Sequence, residues 1–450
     1  MILVFLVGHS QARVGYLNRA LTRYSTRNGK PKIPSRFETI NHSDRGTMCL
    51  LSKPRLMNHP MNIVLLWHSF ESGNLGVGAL SIANTNLLVE ACESLGIDFK
   101  ITLIGHGGEL SYLDFVPPGS DYFRLSSMKK ALSIPVLSAI RKADIVIDVS
   151  EGDSFTDIYG LRRLLRQSLF KFLALWFGRP LVLAPQTLGP FNSSLGRWLG
   201  KRLISRCHLV CTRDTLSTNL VRDWCEKNKL IETTDVAFGM DYQPPPPRDK
   251  SPEQRLKVGL NVSALLWKQS KLSQTSFGLL DHYDTLIMAM LKMLQEHEVE
   301  IHLIPHVLAP NLPEDDDLHV CEMIAQANSD LVLPKPFTSP VEAKEYIANL
   351  DLLIGARMHA TIAALSTGVP VLPLAYSRKF TGLYDSLDYP YVADLTRQNN
   401  LSVLENLEIC LEDLPNIRKM AAKSRAKASS LLDIYRGALS DMLTKIGASQ

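Results

Sequence analysis

The chain has 450 residues, 45% hydrophobic and 21% charged, which is the balance of a globular protein too long for one ordinary core. Its formal net charge of +4 is unevenly placed: residues 1–60 hold ten Lys/Arg against Glu38 and Asp44, and the remainder carries 39 basic and 43 acidic residues. A mildly acidic body argues against a nucleic-acid partner, and seven scattered cysteines without a C-x-x-C pair argue against a disulfide framework or zinc site and suit a reducing cytoplasm.

In chain order, "MILVFLVGH" is apolar for only seven residues, too short for a membrane span and without the basic start of a signal peptide. "RYSTRNGKPKIPSRFETINHSDRG" is polar, basic and aperiodic, so residues 1–60 are expected to be disordered or an over-extended reading frame with the true start at Met57 or Met61. A basic tail lying on a membrane surface is the alternative. From Met61 strands and helices alternate: the strand "NIVLLWH", the helix "ALSIANTNLLVEACESLG", the strands "FKITLIG" and "ADIVIDVS", and a helix near 161–177. The strand "PLVLAPQ", a helix near 194–205, the strand "HLVCTR", a helix at 214–227 and "IETTDVAF" follow. The apolar run "LFKFLALWFGRPLVLAP" is broken by Lys171, Arg179 and Pro180 and reads as core, so no transmembrane helix is expected.

This alternation predicts a doubly wound parallel sheet over 61–243. Four consecutive prolines in "YQPPPPRDKSPEQR" make 244–254 a linker. A second α/β series runs over 255–400, through "KVGLNVSAL", "YDTLIMAMLKMLQEH", "VEIHLIPH", the strand "DLVLP", "VEAKEYIANL", "DLLIGA" and a strand from Val371 to Leu374. Residues 401–450 are helical and could cross back to the first domain. The expected fold is α/β: two Rossmann-like domains facing across a cleft. "EDDD" at 314–317 reads as the acidic start of a helix, with a metal site as the weaker alternative.

The polar signals fall at the carboxyl ends of predicted strands, the edge where open α/β sheets bind ligands. "SGNLGVGAL" offers Gly73, Asn74 and Gly76, a loop that lets backbone approach a ligand or simply a tight strand-to-helix turn. "SEGDSFTDIYG" offers Glu151, Asp153 and Asp157 as a general base or as helix caps. "PQTLGP" carries Gln186, "CTRDTLS" carries Arg213 and "LIPH" carries His306. In "LLIGARMHATIAALSTGVPVLPLAY", Arg357 and His359 stand where an apolar strand turns into an apolar small-residue helix, a position that favours anions.

The ordered set "GNLG", "DSFTDIYG", "PQTLGPF", "TRDTLS", "TTDVAF", "GLNVS", "PH" and "GARMHATIAALSTGVPVLPLAYSRK" resembles the polysaccharide pyruvyl transferases over about 62–385. The last block is the specific one, with its Arg-x-His-Ala, Gly-x-Pro and Tyr-x-x-Lys (Tyr376, Lys379). The resemblance implies a GT-B-like enzyme that moves the pyruvyl group of phosphoenolpyruvate onto paired sugar hydroxyls as a cyclic ketal, releasing phosphate. It implies no cofactor or metal, a sugar or lipid-linked oligosaccharide acceptor on the first domain, a donor on the second, and a cytoplasmic setting, at most at the inner face of the membrane. It places donor binding on Arg357 and Arg213, proton delivery on His359 and the base on Asp157, with Gly73, Asn74, Gly76, Gln186, His306, Tyr376 and Lys379 around the cleft. The chain departs from the family where Val77 replaces an Asp, "SEGD" replaces a glycine run and Thr187 follows Gln186.

The chemistry agrees. A planar guanidinium pairs in bidentate fashion with phosphate or carboxylate, and an imidazole of ordinary pKa about 6.5 can supply a proton near neutrality. Two rivals stand: a glycosyltransferase using a nucleotide sugar, which needs a second-domain carboxylate for ribose, and a catalytically silent glycan-binding member of the fold. For the first, 314–317 and Asp385 are the candidates, and neither is expected beside the Arg357 turn.

Overall fold

A computed structural model describes residues 59–108, 110–152, 155–246, 254–270 and 277–449. The leader 1–58, Asp153 and most of the proline-rich stretch 244–254 lie outside the described residues. Seven parallel strands build the first sheet: β1 Met61–Leu66, β2 Phe99–Gly105, β3 Asp121–Arg124, β4 Ile145–Asp148, β5 Leu181–Gln186, β6 Leu209–Thr212 and β7 Leu230–Glu232. Their spatial order is β3-β2-β1-β4-β5-β6-β7. Five more build the second: β8 Lys257–Asn261, β9 Glu300–Leu303, β10 Leu352–Gly355, β11 Val371–Ala375 and β12 Ala393–Asp394, ordered β12-β11-β10-β8-β9. The central strands are short apolar runs such as "IVID" and "LLIG", buried at every residue, as strands covered by helices on both faces must be.

Both orders reverse direction once, between β1 and β4 in the first sheet and between β8 and β10 in the second. Crossovers leave on opposite faces at such a point, so the loops after those strands part and leave a crevice. Those loops are 67–74 and 149–160 in the first domain, and 262–263 and 356–357 in the second. The topology therefore puts the glycine loop and the Arg357 turn at the two natural ligand positions.

Helix Leu75–Leu95 is long and apolar enough to cross a membrane by composition, contrary to the sequence expectation, but 78% of its most apolar window is buried in the core. It packs against helix Leu414–Ala448, where Tyr435 donates to Asn84 Oδ1 at 2.7 Å. Four other elements differ from the sequence expectation. The helix expected at 214–227 spans only Thr215–Val221, and "DLVLP" forms a single bridge from Val332 to His302 rather than a strand. Edge strands β3 and β12 are too short and polar to carry a periodic signal. "EDDD" does open a helix, Asp317–Ala327, capped by Asp316.

Candidate functional site

The two domains meet at their strand ends. Asn74 pairs with Val307 in an antiparallel bridge, Leu308 N donates to Gly73 O at 2.8 Å, and Leu75 N donates to His306 O at 3.2 Å. Close approach explains two glycines here. A Cβ on Gly73 would lie 2.0 Å from Leu308 O, and one on Gly76 would lie 2.3 Å from His359 Nδ1. Asn74 also caps helix Leu75–Leu95, its side chain accepting from the Gly76 amide at 3.0 Å.

Asn261, at the end of β8, pins the Arg357 turn: its Oδ1 accepts from Arg357 N at 2.8 Å and its Nδ2 donates to Ile304 O. The Arg357 guanidinium then lies along Asp317, with Nη2 at 2.7 Å and Nε at 3.1 and 3.2 Å from the carboxylate. The expectation that 314–317 would stay away from this turn is thereby corrected. Asp317 is buried and also accepts from the amides of Ala264, His306 and Val307, so five donors saturate it. Burial alone would weaken the charge on Arg357, but Asp317 more than compensates and raises its pKa above the ordinary guanidinium value. Arg357 keeps 14% of its side chain exposed and Tyr376 stands near it, packed on Phe277 and Phe380.

Arg213, from the end of β6, is buried: its Nε donates to Thr187 Oγ1 at 2.8 Å and its Nη1 to Asp235 Oδ2 at 2.5 Å. The same Asp235 oxygen lies 3.6 Å from His359 Nε2 in the other domain. Burial would raise the Asp235 carboxyl, yet the Arg213 charge and His359 hold it down to about 2. Arg213, Asp235 and His359 thus form a line across the domain boundary. His306 is buried beside them, and burial, followed by the charges of His359 and Arg357, pushes its pKa down to about 3, so it is neutral near neutral pH.

Of the two roles open to Asp157, general base or anchor of a helix start, its contacts are those of the second. It accepts from Asn192 N, Ser193 N and Ser193 Oγ at 2.6 to 2.8 Å, anchoring the turn that starts helix Ser194–Ile204. Burial would raise its pKa, but these bonds lower it, which makes the carboxylate a poor proton acceptor. Gln186 is a support as well: its Nε2 donates to Asp148 O at 2.8 Å, beside a buried Lys171–Asp148 ion pair. Lys379 reaches across the cleft to Tyr159 Oη at 2.6 Å. Five buried polar atoms in this region have no hydrogen-bond partner among the described residues: Gln186 Oε1, Arg213 Nη2, Thr234 Oγ1, Ser263 Oγ and His359 Nε2. Such atoms are costly unless a polar ligand meets them.

A cavity of about 570 Å³ opens at the carboxyl ends of β2 and β3 and is lined by Glu71, His106, Arg124, Lys130 and Arg166, among others. Glu71 lies on the glycine loop and holds Arg124 in a bidentate pair, while Glu151 binds His106 at 2.8 Å with Arg163 and Arg166 close by. Trp67, Ser150 and Glu151, at the adjacent strand ends, have φ of 61°, 51° and 58°, a strained region for such residues.

Sequence reasoning missed Asp235, Asp317 and Asn261 as site residues. Asp235 and Asn261 lie inside the motifs "TTDVAF" and "GLNVS", whose residue order carries no sign of a partner, and Asp317 looks in sequence like any helix-start charge.

A model of the family described as polysaccharide pyruvyl transferase matches residues 78–378. The amylovoran biosynthesis protein AmsJ of Erwinia amylovora is 20% identical over 317 residues, 67% of this chain and 75% of that protein. Among solved structures, Anabaena Alr3699/HepE in complex with UDP and glucose superposes with a TM-score of 0.52 at 15% identity, over 85% of this chain and 99% of that one. The S. aureus MnaA–UDP structure gives 0.51 at 14% identity, over 80% and 91%. At these identities the two structures share the fold with this chain, two Rossmann-like domains of GT-B type.

Proposed function

Because the chain belongs to the polysaccharide pyruvyl transferase family, we propose that it transfers the pyruvyl group of phosphoenolpyruvate to paired hydroxyls of a sugar in a polysaccharide or its precursor. The observation that carries this reading is the Arg213–Asp235–His359 line across the domain boundary, with Arg357 on the same strand-to-helix turn as His359. In the reaction the methylene carbon gains one proton, C2 gains two C–O bonds to the sugar, and the C2–O bond to phosphate breaks. Of the two hydroxyl protons lost, one balances the new methyl group and the other leaves on phosphate.

Arg357, braced by Asp317, presents a fixed guanidinium edge to the donor's phosphate or carboxylate. Asp235 lies 3.6 Å from His359 Nε2 and orients the imidazole, which delivers the proton to the donor's methylene carbon. Asp235 thus supports the acid, while Asp157, held by Asn192 and Ser193, anchors its turn and is a poor base. The cavity beside Glu71, lined by paired acidic and basic side chains, offers a sugar acceptor its space. The nucleotide-sugar alternative needs a free second-domain carboxylate, and Asp317, the candidate that lies beside the Arg357 turn, is saturated. Free thiols at Cys92, Cys207, Cys211, Cys225, Cys321 and Cys410 suit a cytoplasmic setting.

The test is incubation with phosphoenolpyruvate and sugar acceptors in heavy water. Phosphate release matched by a pyruvyl mass gain, with deuterium in the new methyl group, is the expected result. Consumption of a nucleotide sugar instead, or neither reaction, overturns the proposal.

A further inference from the structure

The helices on the two faces of the first sheet have different neighbours. Helix Leu75–Leu95 is sandwiched between the sheet and helix Leu414–Ala448. On the other face, helices Ile134–Lys142, Leu161–Trp176 and Ser194–Ile204 lie side by side over their own core, which includes Val136, Ile140, Leu164, Phe170 and Leu203. Their outer surface mixes basic side chains with more large apolar ones than a solvated helix face carries. In helix Leu161–Trp176 the residues Leu161, Leu165, Leu169, Phe172 and Trp176 recur at spacings of four, four, three and four, which is one helical stripe, and it points away from the core. Trp176 is 73% exposed, Phe172 47% and Leu161 41%, with the Phe172 and Trp176 rings 5.7 Å apart. On the neighbouring helix Leu195 is 47% and Trp198 58% exposed, one turn apart.

The segment that carries this stripe has charge of one sign. Residues 158–213 contain ten Lys/Arg and no Asp or Glu, in a body that is otherwise slightly acidic. Arg162, Arg197, Lys201 and Arg202 are exposed and form no ion pair among the described residues. Exposed tryptophans next to unpaired cations on helices lying flat is the pattern of a protein that sits in the headgroup layer of an anionic bilayer. A second copy of the chain fits poorly, because a two-fold contact would set these unpaired cations against themselves.

We propose that the outer face of helices Leu161–Trp176 and Ser194–Ile204 docks the protein on an anionic lipid surface, with Trp176 and Trp198 inserted and the arginines and Lys201 over the headgroups. This goes beyond the transfer reaction and does not depend on it. The same loop region after β4 that lines the cleft feeds directly into helix Leu161–Trp176, so docking would hold the acceptor side of the cleft near the membrane.

The test is co-sedimentation of the full chain with vesicles of phosphatidylcholine alone and of phosphatidylcholine mixed with phosphatidylglycerol. Binding to the mixed vesicles, weakened by salt, is expected. Trp176→Ser with Trp198→Ser should reduce it by about tenfold or more, and Arg197→Glu with Lys201→Glu and Arg202→Glu by a similar factor. Melting temperature and affinity for phosphoenolpyruvate should stay unchanged in both variants, since all five residues are exposed and away from the strand ends. No binding to the mixed vesicles, or binding indifferent to both sets of substitutions, overturns the proposal. A concentration-dependent dimer that the two serine substitutions dissolve also overturns it and gives the face to a second copy.

Discussion

Arg213–Asp235 in the first domain and Arg357–Asp317 in the second are the same chemical pair, each with its arginine just past the carboxyl end of a strand. They differ in what else the carboxylate does. Asp317 accepts from three backbone amides and the arginine, all within its own domain, and has no capacity left. It is a brace that aims a partly exposed guanidinium. Asp235 accepts from Arg213 and the Ala237 amide and still faces His359 of the other domain. It is a relay whose second partner arrives only when the domains are together. An ion pair is thus assigned its task by its unused hydrogen-bonding capacity, not by its identity.

The strongest way to break this comparison is at the end of the relay. His359→Gln should lower turnover by about 10²–10⁴-fold with donor affinity nearly intact, because an amide cannot deliver a proton. A loss of donor binding at unchanged rate per bound donor would make His359 a ligand instead. Asp235→Ala leaves Arg213 buried without its carboxylate and should destabilise the fold by about 3–5 kcal/mol in chemical denaturation. Its pH signature follows from direction: a carboxyl held near 2 contributes stability above its unfolded value of about 3.9, and that contribution is lost as pH falls through 2. The acid limb of the stability curve should therefore flatten in Asp235→Asn.

At the brace, Arg357→Lys keeps the charge but loses the planar fork, and titration of phosphoenolpyruvate should show about 2–4 kcal/mol weaker binding. Equal affinity would remove Arg357 from the donor site. The smallest effect belongs to Asp157→Asn, which should cost about 1 kcal/mol of stability through the weakened turn at Asn192 and Ser193 and leave turnover within a few-fold of wild type. A fall of 10²-fold there would restore Asp157 as a catalytic base.

Much of this was legible in the sequence because the signals are local. A buried strand is a run of apolar residues, and a ligand-facing loop is a glycine or charged residue placed directly after it, so 61–66, 145–148 and 352–355 could be read with the polar positions that follow them. The short edge strands could not be, since β3 and β12 owe their pairing to a neighbour rather than to any pattern of their own. The two parallel sheets, the strand-end placement of Arg213, Arg357, His359 and His306, and the glycine loop were thus available from residue order alone.

What only the tertiary structure decided is which carboxylate meets which cation. Asp157, Asp235 and Asp317 look alike as side chains following or opening regular elements, and their tasks depend on partners 35, 22 and 40 residues away. Periodicity reports which face of an element is buried, but it carries no information about which buried faces are brought together. The Asp235–His359 approach joins elements of two sheets, and the packing of Gly76 on His359 requires both domains in place. Those contacts come from long-range packing, which local propensity does not encode.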